Sequence, residues 1–158
     1  MSLAFYFALA IMVLRTTLHY IGHDPEGTAF MLVHLLALVV VVFFAGQRQL
    51  RMDTASGFPA LVREGFKAAA VYTILYAIFI WGYFHTIDTQ AFPERIQRMV
   101  EMAEQEGRPG DEARRRLQVF FTPFNYATMT FFGLLAIGAF NALLLGVVHH
   151  KVLRRFRR

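Results

Sequence analysis

The chain contains no cysteine, which excludes disulfides, thiolate nucleophiles and any cysteine-ligated metal or cluster. Acidic residues are informative by where they are missing. None of the 11 Asp and Glu residues falls inside the apolar runs at about 3–21, 29–45, 65–84 and 124–148. Paired carboxylates for acid–base work inside those runs are therefore excluded. No HExxH pair, phosphate-cradling glycine loop or nucleophile–base set occurs either. Proline is sparse, and all five fall between the runs, at Pro25, Pro59, Pro93, Pro109 and Pro123.

What is present is apolar surface in excess. Of 158 residues, 56% are hydrophobic and 15% aromatic, whereas ordinary globular domains are roughly 45–50% apolar. Each run approaches the ~20 residues that span a ~30 Å hydrocarbon layer at ~1.5 Å per residue. Most of the third loop region remains polar. The pattern predicts an all-α integral membrane protein with four transmembrane helices and an extracytoplasmic amphipathic helical hairpin at about 93–121. At this length it forms a single domain over residues 1–158, with residues 85–122 as an insert.

The net charge of +5 does not point to nucleic acid, because five of the 16 basic residues close the chain as Lys151, Arg154, Arg155, Arg157 and Arg158. A basic cluster directly after an apolar run binds anionic lipid headgroups at ~1 kcal/mol per residue and fixes topology. Arg48, Arg51, Arg63 and Lys67 flank the second and third runs. Both termini are accordingly expected in the cytoplasm, in a bacterial inner membrane. The first run is read as a retained helix rather than a signal peptide: MSLAFYF has no basic leader and Arg15 interrupts the apolar stretch.

Punctuation supports the same outline. Pro25 and Gly27 in HDPEGT predict a tight turn, and Pro59 suits the first turn of a helix leading into the third run. Trp81 and Tyr83 fit an interfacial aromatic belt. Phe92, Ile96, Met99, Val100 and Ala103 keep helical spacing before Gly107 and Pro109 end that helix. Asp111 is a candidate cap for the next helix, with Asp111–Arg115 and Glu112–Arg116 as acid-first pairs. Thr122-Pro123 marks the start of the fourth run.

The segment Gly57-Phe58-Pro59, five residues, then Gly65-Phe66-Lys67 precedes an aromatic-rich third span. With the basic loop, the amphipathic insert and the basic C-terminus, this order resembles the bacterial four-span family catalogued as domain of unknown function 4199. The resemblance covers nearly the whole chain. It implies four helices and a bacterial inner membrane, and carries no activity or functional residue.

Chemistry-bearing residues are few. Arg15, His19 and His23 fall four residues apart, so they stack along one side of a helix. Arg15 lies ~10 Å inside its run, where a charge costs up to ~2.5–3.5 kcal/mol. Three readings are open: it snorkels to lipid phosphate, it binds polar groups such as Asn141 or Thr73, or it meets a partner's carboxylate or an anionic ligand. His34 is placed at similar depth in the second run, so Arg15, His19 and His34 form a candidate intramembrane polar layer. His19, His23, His34 and His85 all lie towards the outer side as possible metal or haem ligands, whereas His149 and His150 read as cytoplasmic tail. No metal or cofactor is required by the sequence.

Gly133, Gly138 and Asn141 read as a close-packing face, within the bundle or towards a partner. Thr16, Thr17, Thr128 and Thr130 are expected to bond back to the helix or pack. The expected function is a non-catalytic scaffold, assembly or accessory subunit, partnered by lipids and by other membrane subunits or by itself. The alternatives are an oligomeric transporter or channel subunit using the Arg15/His19/His34 layer, and a haem- or quinone-binding redox subunit.

Overall fold

The first helix, α1 (Ser2–Tyr20), ends where backbone geometry demands a glycine. Gly22 adopts φ +75°, its N–H reaches the His19 carbonyl, and the His23 N–H reaches that of Leu18. Those two bonds form a Schellman closure. The helix therefore stops at Gly22, ahead of Pro25 and Gly27, which lie outside the described residues. The computed structural model describes residues 2–23 and 28–153, so most of the HDPEGT turn and the arginines of the C-terminal tail are beyond it.

The remaining elements are α2 (Thr28–Met52), α3 (Phe58–Thr86), α4 (Ala91–Gln105), α5 (Gly110–Phe120) and α6 (Pro123–Lys151), with no strand among the described residues. Four of them, α1, α2, α3 and α6, are long and apolar enough to cross a membrane. The valine run of α2 is helical, as a segment in lipid must be to satisfy its own backbone. Both inner helices are longer than their apolar runs. Gln47 to Met52 continue α2 because Gln, Arg, Leu and Met are good helix formers, and α3 begins at Phe58. The basic loop expected between the second and third runs thus shrinks to residues 53–57. There Asp53 accepts from the Ala55 N–H and the Ser56 hydroxyl, and Gln49 donates to Ser56, each at 2.9 Å.

The helices group into two compact units. One comprises α1, α2, α3 as far as Tyr76, and α6 from Phe131. Close approach in this unit depends on missing Cβ atoms. A Cβ on Gly138 would lie 2.6 Å from that of Ala69, and one on Gly146 would lie 2.7 Å from Val62 Cγ2. Gly65 is somewhat less tight, with its Cβ position 3.0 Å from Val42 Cγ1 and 3.3 Å from Ala142 Cβ.

The other unit, Ala77–Thr130, takes the end of α3, both short helices and the start of α6. Phe92, Ile96 and Val100 form the buried stripe of α4, and Phe84, Phe92 and Tyr126 meet ring to ring. Gly107, at φ +77°, closes α4 by the same paired bonds that close α1. Asp111 does not cap α5. Pro109 holds the cap position without a side-chain bond, and Asp111 sits in the first turn, where its charge favours the helix dipole. The Glu112–Arg116 pair forms at 2.5 Å, and Arg114 donates to Gln97 of α4 at 2.6 Å. Thr122 caps α6 through the Asn125 N–H, while Asn125 Nδ2 donates to the Val119 and Phe120 carbonyls. Trp81 is exposed as a belt residue would be. Tyr83 is instead buried beside Phe79 and Phe84, because it continues the inward stripe of α3.

Candidate functional site

The buried stripe of α1 is Ala4, Ala8, Ile11 and Arg15, each three or four residues from the next. Helical periodicity alone thus turns Arg15 inward, and only 2% of it is exposed. Its guanidinium carbon lies 5.4 Å from the centroid of the Phe30 ring on α2. A cation over an aromatic face is attracted by the ring quadrupole, by ~2 kcal/mol where water is excluded. This placement overturns the snorkelling reading. Thr73 does not hold the guanidinium, since its Oγ1 is buried without a hydrogen-bond partner among the described residues.

Phe30 connects Arg15 to the second ionisable group of the layer. His34, one turn on along α2, lies edge-on to Phe30 at 5.1 Å. Its Nδ1 shares a 2.6 Å hydrogen bond with the Tyr72 hydroxyl of α3, and its ring packs at 4.2 Å against Tyr76. Tyr72 and Tyr76 themselves stack nearly parallel, at an interplanar angle of 9°. Arg15 and His34 are therefore brought together by an aromatic sleeve from α2 and α3. His19 is half-buried and edge-on to Tyr20, one turn further out.

The sequence pointed to Arg15 and His34 but missed Phe30, Tyr72 and Tyr76. A usable signal was present: Gly65, Ala69, Tyr72, Tyr76 and Ile80 recur at three or four residues, which marks the inward face of α3. His149 was also misplaced. It is not in a tail but buried in α6, its ring against Gly46 and tilted on Phe43 at 5.0 Å. Its Nδ1–H donates to the Leu145 carbonyl at 2.6 Å, leaving Nε2 buried without a hydrogen-bond partner among the described residues. The glycine at 46 leaves the space that the imidazole occupies, since a Cβ there would lie 2.9 Å from the ring.

The four outer histidines do not converge as a ligand set. His23 is exposed beyond the end of α1, and exposed His85 bonds the Trp81 carbonyl of its own helix. No cluster of three metal-ligating side chains forms among the described residues. Of the proposed packing face, Gly138 and Asn141 turn into the first unit, whereas Gly133 faces open space. Gly146, not Gly133, continues the close contact. Thr16 bonds back to the Met12 carbonyl at 2.9 Å.

A model of the family described as protein of unknown function (DUF4199) matches residues 2–151. The chain belongs to the DUF4199 family. Within this DUF4199 protein, the Arg15–Phe30–His34–Tyr72 layer buries two ionisable side chains side by side in the apolar helices. No curated protein and no solved structure matches the chain.

Proposed function

We propose that this DUF4199 protein is a non-catalytic accessory or scaffold subunit of a bacterial inner-membrane complex, with both termini cytoplasmic. The observation that carries the reading is the burial of an ionisable layer against aromatic rings of α2 and α3. Arg15 lies on Phe30 of α2, and His34 bonds Tyr72 and packs on Tyr76 of α3. An ionised group so enclosed orients helices more readily than it turns over a substrate. The α4–α5 hairpin adds a surface for contact: α5 buries none of its residues and presents Val119 and Phe120 beside Arg115 and Arg116. The exposed Lys151 and the arginines after it supply an anionic-lipid anchor at the cytoplasmic end.

The test is a photo-crosslinking residue at Val119, used in native membranes. One reproducible adduct to a different membrane protein, lost when the crosslinker is moved to the lipid-facing Ile78, supports the subunit reading. A clean homo-oligomer with no unlike adduct overturns it.

A second reading, an oligomeric transporter subunit, is favoured by Arg15 and His34 themselves, since buried ionisable groups mark solute and proton paths. Reconstituted vesicles in which Arg15→Gln abolishes a pH-driven flux would favour that reading over the first.

A further inference from the structure

A second feature of the first unit lies away from the Arg15 layer, in a cleft of about 220 Å³ where α2 and α3 part near the 53–57 loop. Its floor is apolar, made of Ala45 and Ala68, and Met52 extends one side. Its rim carries Arg48 from α2 and Lys67 from α3. Glu64 is the carboxylate in the cleft, and it is already shared: Lys67 Nζ lies 2.8 Å from it and Arg63 Nε 3.6 Å. Gln49 is held by Ser56. Arg48 is exposed and has no hydrogen bond or ion pair among the described residues, so the rim keeps an unmatched positive charge.

From this arrangement we infer that the α2–α3 cleft binds the headgroup of an anionic phospholipid. The inference rests on the reading of α2 and α3 as membrane-crossing helices. Three features then agree on one occupant. The volume is below the ~300 Å³ of a pocket that swallows a whole small ligand, so only part of a molecule enters. The rim offers a planar guanidinium, whose fork matches two phosphate oxygens, and an ammonium acting as a point charge. The floor offers apolar contact to the first methylenes of an acyl chain lying along the helices. A zwitterionic headgroup brings its own cation against Arg48 and Lys67 and is disfavoured. This site is distinct from the basic cluster of Lys151, Arg154, Arg155, Arg157 and Arg158 in the sequence.

Native mass spectrometry of the full chain in detergent, titrated with phosphatidylglycerol or phosphatidylcholine, tests it. The wild type is expected to retain phosphatidylglycerol at least fivefold better at the activation that strips phosphatidylcholine. Arg48→Gln/Lys67→Gln should erase that difference, whereas Arg51→Gln/Arg98→Gln, with the same loss of charge outside the cleft, should preserve it. Ala45→Leu fills the floor with all charges intact and should also lower retention, so the test survives if the double variant misfolds. Equal retention of the two lipids by the wild type, equal loss in both double variants, or unchanged retention in Arg48→Gln/Lys67→Gln overturns the site. Carbonate washing of membranes is run first, because protein stripped by carbonate refutes the membrane reading whatever the lipids do.

Discussion

The imidazole of His34 and the phenol of Tyr72, 38 residues apart in the chain, share a 2.6 Å hydrogen bond inside the apolar helices. That bond joins α2 to α3 at the level where Arg15 enters from α1 over Phe30. It is therefore the fixed point from which the polar layer is tested.

Tyr72→Phe removes the hydroxyl and leaves a buried ring nitrogen unpaired. Interhelical hydrogen bonds in membranes measure ~0.6 kcal/mol on average and at most ~1.7 kcal/mol by double-mutant cycles. A cycle of Tyr72→Phe with His34→Leu, read by thermal unfolding in detergent, should give a coupling in that range. A coupling of zero would mean that the two groups do not share a bond.

Arg15→Leu removes a buried charge from an apolar helix, so insertion and membrane yield should hold or rise. What should change is assembly, read as the size or composition of the complex on a native gel. Phe30→Leu keeps the charge but removes the ring beneath it, and a loss of ~1–2 kcal/mol in stability is expected from the cation–π contact. A fall in yield for Arg15→Leu with unchanged assembly would reverse this assignment.

The glycines of α6 predict opposite responses on one helix. Gly138→Ala and Gly146→Ala place a methyl within 2.7 Å or less of Ala69 and Val62, so helices must part, at ~1–3 kcal/mol each. Gly133→Ala meets open space and should change stability by no more than ~0.5 kcal/mol in the unfavourable direction. Guanidinium or sodium dodecyl sulfate titration ranks the three.

The absence of native cysteine allows topology to be mapped on an otherwise unreactive chain. Single cysteines at Ala55 and Glu106 should label from opposite sides of the membrane with an impermeant maleimide. A reporter fused after Arg158 should behave as cytoplasmic. Labelling of both cysteines from one side would overturn the proposed orientation.

The junction of α5 with α6 offers a local test. Thr122→Ala removes the oxygen that accepts the Asn125 N–H, and caps of this kind contribute ~1 kcal/mol. Faster hydrogen exchange at residues 124–126, with exchange in α1 unchanged, is the expected outcome.

Much of this architecture was fixed by composition and one-dimensional pattern. Four long apolar runs dictate four long helices, because an unpaired backbone cannot be left in hydrocarbon. Gly107, Thr122 and Pro123 set boundaries through local geometry that a few adjacent residues decide. Partners across helices were not legible in the same way. Whether Arg15 meets Thr73, Asn141 or the Phe30 ring depends on how α1 is rotated against its neighbours, and a single helix carries no record of that angle. His149 shows the same limit. As sequence it belongs to a basic tail; in the fold it is buried because Gly46, more than a hundred residues earlier, lacks the side chain that would have excluded it.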